Sequence, residues 1–198
     1  MTKSIKISCR NLWKVFGANG DRFMARHGNR PTDAAMLNEG FVGALRDVSF
    51  DVYAGEILVI KGLSGSGKST LIRAITRLND PDCGEVLLDG KDLLQSSIKE
   101  LTDLRRHKLG MVFQHFGLLP HRVAIENVAF PLEIQCMDRA TRLRKAGEIL
   151  QLVDLEGKEH HFSHELSGGQ QQRAGIARSL AVEPESGFWT SPSQRSIR

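Results

Sequence analysis

The chain has 198 residues, of which 40% are hydrophobic and 25% are charged, with 19 glycines. This composition is typical of a globular protein and excludes collagen, a disordered tail and a polytopic membrane protein. The net charge is +4, and the basic residues are interspersed with acidic ones, which argues against a nucleic-acid-binding protein. The length favours one domain, or one domain with an added subdomain.

Cysteine usage and the amino terminus indicate the compartment. Three cysteines, Cys9, Cys83 and Cys136, are widely spaced, so neither a disulfide framework nor a zinc site is predicted. The first ten residues contain no apolar leader segment, and the best apolar run, residues 57–60, is far shorter than the ~20 residues of a membrane span. We therefore expect a reducing, cytosolic environment.

The first half of the chain reads mainly as strands. Alternating apolar residues predict strands at residues 6–9 and 48–53. The stretch between them, residues 17–43, has no sustained period and predicts a surface insertion with a short helix at residues 33–38. The continuous apolar run at residues 57–60 is typical of a strand buried on both faces of a parallel sheet. Residues 85–88 predict a further strand.

The second half is mainly helical. Residues 98–108 predict a helix, and residues 111–113 a strand that leads into Gln114. From residue 115 to residue 165 the pattern is that of an inserted helical subdomain, with one helix at residues 123–130 and Asp138 as the N-cap of the next. Another helix opens at residues 166–170.

A phosphate-binding loop follows the predicted strand at residues 57–60. It reads Gly62-Leu63-Ser64-Gly65-Ser66-Gly67-Lys68-Ser69 and continues into Thr70, which satisfies G-x-x-x-x-G-K-[ST] between a strand and a helix. The glycines let successive backbone N–H groups point at an anion, and the helix N-terminus adds its positive end. Lys68 is expected to reach the β and γ phosphates, and the Ser69 hydroxyl to bind Mg²⁺. The alternative is a glycine- and serine-rich turn that matches by chance.

A second anion-binding helix start lies 98 residues after Ser69. It reads Ser167-Gly168-Gly169-Gln170. Two such ends far apart in one chain predict two subunits that meet head to tail, the serine-glycine end of one covering the γ phosphate held by the other. The alternative is a glycine-rich helix N-cap with no ligand.

Because they contain both the phosphate-binding loop and the serine-glycine helix start, residues 1–185 resemble the ATP-binding subunit of an ABC transporter. The resemblance implies an α/β P-loop NTPase with a RecA-like core, an antiparallel β subdomain and the inserted helical subdomain. It implies ATP and Mg²⁺ as cofactors, and a second ATP-binding subunit and a membrane permease as partners. It implies a peripheral location at the cytoplasmic side of the plasma membrane. Nucleic acid is not among the expected partners.

The resemblance also assigns roles to single residues. Gln114 matches the glutamine of the family's Q-loop, which touches Mg²⁺ and the attacking water, so Lys68 and Gln114 form the expected catalytic set. Phe16 matches the aromatic residue that stacks on adenine, and its alternative role is a core residue. Residues 17–43, 62–67 and 113–121 resemble the glycine betaine/proline (quaternary amine) importer ATPases. The solute class rests on this resemblance alone, because the motor subunit does not bind the solute.

The stretch after Glu185 departs from the family. The family continues with a strand ending in Asp-Glu-Pro, a Ser-Ala-Leu-Asp loop and a histidine, whereas residues 186–198 contain no acidic residue. We therefore expect a partial nucleotide-binding domain at residues 1–185, a core incomplete at its C-terminus, and an unrelated tail. Read in a frame shifted by one base, a gene segment for this tail can encode Ile-Arg-Leu-Leu-Asp-Glu-Pro-Phe-Ser-Ala-Leu-Asp-Pro, which suggests a frameshift after the Glu185 codon.

This departure has consequences for folding and for catalysis. The strands at residues 57–60 and 111–113 are expected to lack partners, at roughly 1–3 kcal/mol per unsatisfied buried group against a total stability of ~5–15 kcal/mol. We therefore expect a poorly folded or aggregation-prone chain. Hydrolysis is uncertain without the family's acidic residues, and a non-hydrolytic nucleotide-binding remnant is the alternative function.

Three other interpretations compete with the family assignment. His160, His161 and His164 with Glu165 have the spacing of metal ligands, although a solvated linker explains them as well. The basic residues at 105–108 and 139–145 are compatible with nucleic acid or anionic lipid, although acids are interspersed. DNA-repair and chromosome-organising relatives separate the two phosphate motifs by a long coiled coil, and the 98-residue gap without heptads argues against that class.

Overall fold

The computed structural model describes residues 4–112 and 117–189. The chain forms two compact units, with the boundary between Ser97 and Ile98. The predicted site residue Gln114 lies outside the described residues, as do residues 190–198 of the predicted tail.

The first unit is built on an antiparallel sheet of four strands in the order β2-β1-β3-β4. Its elements are β1 (Ile5–Phe16), α1 (Gly20–Arg26), α2 (Asp33–Asn38), β2 (Val42–Tyr53), α3 (Lys68–Ile75), β3 (Cys83–Leu88) and β4 (Lys91–Asp92). The predicted strands at residues 6–9, 48–53 and 85–88 are confirmed as parts of β1, β2 and β3. β1 and β2 are longer than predicted because they continue as one hairpin that frames the insertion.

The insertion at residues 17–43 contributes to the core of this unit. The predicted helix at residues 33–38 is confirmed as α2, and its N-cap Thr32 accepts a hydrogen bond from the Ala35 amide at 3.2 Å. α1 was not predicted, and its Phe23 and Met24 are almost fully buried with Met36 of α2. Each such side chain contributes about 1.5–3 kcal/mol on burial, so the segment is not merely a surface loop.

The prediction for residues 57–60 is wrong for this structure. Instead of a buried strand, the segment has no regular secondary structure, and its four side chains are between 41% and 85% exposed. The physical reason is the lack of a ladder: no strand of the described residues pairs with it, so its apolar side chains have no layer to pack into.

The second unit combines a helical bundle with a short parallel sheet. Its elements are α4 (Ile98–His107), β5 (Leu109–Val112), α5 (Ala124–Ile134), α6 (Arg139–Leu152), a 3₁₀ turn (Ser163–Glu165), α7 (Gly168–Leu180) and β6 (Ser186–Trp189). The predicted helices after residues 98, 123 and 138 are confirmed. Among the helices of the described residues, none combines the length and the apolar character that crossing a membrane requires.

The helices α5, α6 and α7 share one apolar core. Val128, Leu132 and Leu150 are at most 1% exposed and pack with the alanines of α7. Asp138 caps α6 as predicted, since its carboxylate accepts a hydrogen bond from the Thr141 amide at 3.0 Å. Hydrogen bonding from Thr141, first from its side chain and then from its backbone, holds the pKa of Asp138 below its ordinary value.

β5 has a partner that the sequence did not predict. β6 pairs with it in parallel, with Leu109 opposite Ser186 and Val112 opposite Trp189. The Ser186 amide also donates to the Lys108 carbonyl at 3.1 Å. The expectation that this strand lacks a ladder partner is therefore wrong, because the first four residues after Glu185 take that place.

Candidate functional site

The phosphate loop leads directly into the N-terminus of α3. Gly67, the N-cap residue, has a left-handed backbone with φ of +84°, and no side chain caps the helix. The first-turn amides, which belong to Lys68, Ser69 and Thr70, have no acceptor within an α-helix. An uncapped helix start of this kind binds anions through these amides and through the positive end of the helix dipole.

Two glycines of the loop are required for different reasons. A Cβ atom on Gly67 would lie 2.3 Å from the Ala44 carbonyl oxygen of β2, so only glycine allows this close approach. Gly65 also has a positive φ, +81°, but a Cβ there would meet no atom within 4 Å. The loop is therefore anchored to the sheet at Gly67 and open to the exterior at Gly65.

The Lys68 ammonium holds the loop together. Its Nζ donates to the carbonyl oxygens of Gly62 at 2.8 Å and Leu63 at 2.6 Å, and to Ser66 Oγ at 3.1 Å. All three acceptors lie at the surface of the first unit, beside the start of α3. An ammonium in this position can exchange loop oxygens for phosphate oxygens without a change in the backbone.

Phe16 lies at the end of β1, on the same part of the sheet as the start of α3. It pairs with Val42 of β2, and the carbonyl of Ala44, two residues further on, approaches Gly67. The two residues from Val42 to Ala44 span about 7 Å along the strand. The Phe16 ring is 44% exposed and borders a pocket of about 420 Å³, which fits a stacking surface better than the alternative role as a core residue.

Asp82 was missed as a positioning residue for this end of β1. Its carboxylate accepts hydrogen bonds from the Val15 amide at 2.5 Å and from Lys14 Nζ at 2.8 Å. Its sequence signal, the Asp-Pro-Asp run at residues 80–82, is typical of a turn and does not indicate this contact. The two bonds fix the strand immediately before Phe16.

The second helix start, at α7, is capped by its own residues. Ser167 Oγ accepts from the Gln170 amide at 3.3 Å, and Gln170 Oε1 accepts from the Ser167 amide at 2.8 Å. A Cβ atom on Gly168 or Gly169 would meet nothing within 4 Å, so packing within the chain does not require glycine at either position. The two glycines leave an open surface at the helix start.

The two helix starts belong to different units, α3 to the first and α7 to the second. Within the first unit, Phe16 ends β1, and Gly67 of the phosphate loop lies against Ala44 of the neighbouring strand β2. Gln114, the other predicted catalytic and Mg²⁺-binding residue, is outside the described ranges. Of the predicted metal ligands, the first unit therefore contains Ser69, at the surface of α3.

The histidine and basic clusters that compete with the family assignment all lie in the second unit. Within residues 4–112 and 117–189, no group of three or more histidine, cysteine, aspartate or glutamate side chains is arranged to hold a metal ion. Several basic side chains instead form ion pairs with acids of their own unit: Lys108 with Glu185 at 3.0 Å, Arg144 with Glu148 at 2.6 Å and Lys145 with Glu183 at 3.1 Å.

The sequence of the chain is similar to that of proteins of a known family. The ABC transporter family model matches residues 45–189, which include the phosphate loop, the start of α7 and β6. The chain belongs to the ABC transporter family. The predicted resemblance is thus confirmed.

Relatives within the family match most of the chain. It is 50% identical to a trimethylamine N-oxide transport system ATP-binding protein of Ruegeria pomeroyi, over 94% of this chain and 55% of the relative. It is 44% identical to a glycine betaine transport ATP-binding protein of Bacillus subtilis, over 92% of this chain and 44% of the relative. The chain spans about half the length of the curated relatives it matches.

A solved ATP-binding cassette shares the fold. It is a dimer in a post-hydrolysis state bound to ADP and Pi, and it matches with a TM-score of 0.79 and 34% identity. The match covers 95% of this chain and 75% of that chain. The predicted α/β P-loop fold class, with its antiparallel and helical parts, is confirmed.

The two loop glycines provide a matched test of the anchor. We expect Gly67→Ala to destabilise the first unit by about 1–3 kcal/mol more than Gly65→Ala. Both variants place alanine at a strained positive φ, but only the Cβ atom of Gly67→Ala collides with the Ala44 carbonyl. Urea unfolding midpoints of the two variants measure the difference. Equal midpoints would show that α3 does not depend on this close approach.

Proposed function

We propose that this chain is the ATP-binding subunit of an ABC importer that takes up quaternary amines of the glycine betaine/proline type through a separate membrane permease. The observation that carries the proposal is the start of α3, where an uncapped helix N-terminus and the Lys68 ammonium face one exposed loop. Such a start is a triphosphate site by its chemistry.

The triphosphate is held by the loop backbone and by Lys68. Lys68 supplies a point charge to the β and γ phosphates, and the loop amides supply directed hydrogen bonds. The Ser69 hydroxyl and Gln114 would hold Mg²⁺, which would supply positive charge to the bound phosphates. The remaining nucleotide contacts are assigned to the loop and to the facing helix start: Gly62, Ser64, Gly65, Ser66, Gly67, Thr70, Ser167, Gly168, Gly169 and Gln170.

The adenine base stacks on Phe16. Its ring is exposed, ends a strand that Asp82 holds in place, and lies on the same part of the sheet as the phosphate loop. Aromatic stacking is tolerant of small displacements, so the base needs only a ring at the right distance from the phosphates.

A second ATP-binding subunit completes the site. The open surface at Gly168 and Gly169 leaves room for a ligand or another molecule at the start of α7. Closure of two subunits in a head-to-tail arrangement places this surface over the γ phosphate of the facing loop. The solved cassette that this chain resembles is described as a dimer bound to ADP and Pi.

The names of the relatives support the solute class and the permease. The two curated relatives act in trimethylamine N-oxide and glycine betaine transport, and both solutes carry a fully substituted nitrogen. We place the chain at the cytoplasmic face of the plasma membrane, peripherally, where a motor subunit can bind ATP and contact its permease.

A specific observation favours a second candidate function. β6, the parallel partner of β5, consists of Ser186, Gly187, Phe188 and Trp189 and carries no carboxylate. In the sheet order that the resemblance implies, this place belongs to the family's Asp-Glu-Pro strand, which supports Mg²⁺ and orients the attacking water. The second candidate is therefore a nucleotide-binding chain that does not hydrolyse ATP and has no transport role.

The charge of Lys68 tests the phosphate site. We expect Lys68→Ala to weaken ATP binding about 10- to 150-fold, since it removes charge-assisted hydrogen bonds of about 1.5–3 kcal/mol. Lys99→Ala, at an exposed lysine of α4, is the matched control and should leave affinity unchanged. Isothermal titration calorimetry measures both. If Lys68→Ala retains the parent affinity, the phosphate site is wrong.

Phe16 is tested by comparing ATP with a ligand that has no base. Phe16→Ala should weaken ATP binding at least about fivefold because the stacking surface is lost, whereas Phe16→Tyr retains it. Binding of inorganic tripolyphosphate should be the same for both variants. Equal losses for the two ligands would mean that Phe16 supports the fold rather than the base.

Turnover separates the two candidate functions. The importer motor predicts release of phosphate above background, whereas the second candidate, with a β6 that carries no carboxylate, predicts that ATP binds without release. Phosphate release is measured with Mg²⁺ at saturating ATP, and Lys68→Ala defines the background. Release that exceeds this background would favour the hydrolysing importer motor and reject the non-hydrolytic candidate.

A further inference from the structure

The insertion at residues 17–43 leaves the sheet and returns to it beside Phe16. Phe16 is the last residue of β1 and pairs with Val42, the first residue of β2, so its ring stands where the hairpin opens into the insertion. A strand end that runs into a long connection frays unless packing holds it. The contacts of the insertion therefore determine how firmly the Phe16 backbone is fixed.

Phe41 packs closely against the backbone of Gly17, the residue directly after Phe16. A Cβ atom on Gly17 would overlap the Phe41 ring, at 2.5 Å from Cε1 and 3.0 Å from Cγ. Gly17 does not have a positive φ, so its backbone conformation is open to any residue. Glycine is required at this position because the Phe41 ring approaches so closely.

Two further contacts fix the Phe41 residue itself. Its ring stacks on Phe23 of α1, with the ring centroids 4.0 Å apart and the planes inclined by 15°. Phe23 is fully buried in the apolar cluster of the insertion and β1. The Phe41 amide also donates a hydrogen bond to the Met36 carbonyl of α2 at 2.8 Å. Gly17 thus lies against a part of the insertion that is anchored in a core.

The Phe16 ring lies on the face of β1 that the buried cluster leaves open. Successive side chains of a strand alternate between its two faces. Trp13 and Val15 are 7% and 3% exposed and belong to the cluster, whereas Phe16 is 44% exposed. Lys14 shares the face of Phe16, since its Nζ lies 5.8 Å from the centroid of the Phe16 ring. The insertion therefore supports the strand without covering the ring.

We propose that Phe41 is a positioning residue for the nucleotide site: it connects the buried cluster of the insertion to Gly17 and so keeps the Phe16 ring ready to stack on adenine. This inference rests on the proposed function, because it takes Phe16 as the residue that stacks on the base. A ring that is held before the ligand arrives loses less conformational entropy on binding, so ATP binds more tightly without an additional contact.

The role of Phe41 is tested in the full chain with ATP and with inorganic tripolyphosphate, which has no base. Phe41→Ala should weaken ATP binding about three- to fivefold because the Phe16 ring is no longer held, and should leave tripolyphosphate binding unchanged. Gly17→Ala should have the same selective effect, because its Cβ atom displaces the Phe41 ring. Phe41→Tyr retains the ring and should retain the ATP affinity. Isothermal titration calorimetry measures all of these affinities.

Two double variants show whether Phe41 acts through Gly17 and Phe16. Phe41→Ala removes the ring with which the Cβ atom of Gly17→Ala collides. The double variant Gly17→Ala/Phe41→Ala should therefore bind ATP no more weakly than Phe41→Ala alone. In the Phe16→Ala background, Phe41→Ala should cause no further loss, because no ring remains to be positioned. Residues that act independently would instead show losses that add.

A matched control lies in the same insertion. Leu37 of α2 is 81% exposed, so Leu37→Ala should leave the affinities for both ligands unchanged, and circular dichroism compares the folding of all variants. If Phe41→Ala does not fold, Gly17→Ala provides the same test: a loss for ATP alone supports the proposal, and equal losses or no loss overturn it.

The proposal is also overturned if Phe41→Ala retains the parent ATP affinity, if it weakens both ligands equally, or if its full loss persists in the Phe16→Ala background. Failure of the proposed function gives a different result, since Lys68→Ala and Phe16→Ala would then retain the parent ATP affinity. A normal loss for these two variants with no loss for Phe41→Ala would reject this inference alone.

Discussion

The site depends on how α3 begins. Gly67 takes a left-handed backbone conformation against the Ala44 carbonyl, and no side chain caps the helix. The first-turn amides therefore stay available to an external anion, and Lys68 ties the loop that surrounds them. Elsewhere in the chain Asp138 and Ser167 cap α6 and α7 from within. At α3 the uncapped first-turn amides can bind a ligand directly, whereas at α7 the open surface at Gly168 and Gly169 leaves room for one.

Strand pairing governs the rest of the fold. β5 and the segment at residues 57–60 have similar apolar sequences, and both were expected to lack partners. β5 pairs with β6 through a parallel ladder, whereas residues 57–60 pair with no strand of the described chain and stay exposed. The apolar side chains of a strand indicate that it can pack between other layers. Burial also requires a second strand that pairs with its backbone N–H and C=O groups.

The insertion shows how a polar-looking segment can belong to a core. Residues 17–43 are rich in glycine, asparagine and charged residues, which indicated a surface loop. Only a few of its side chains are apolar, yet Phe23, Met24 and Met36 meet Trp13 and Val15 of β1 in one buried cluster. α1 has seven residues, too few to show a period, and its N-cap Asn19 makes no side-chain capping bond, so sequence patterns did not reveal it.

The sequence by itself determined the family, the phosphate loop, the start of α7 and most helix boundaries, because local spacing and capping chemistry specify them. Only the tertiary structure decided that Phe16 is exposed next to a strand residue that Asp82 binds, that β6 pairs with β5, and that residues 57–60 stay exposed. These outcomes depend on contacts between segments that are far apart in the chain. The local pattern of apolar and polar residues does not specify which distant backbone groups pair.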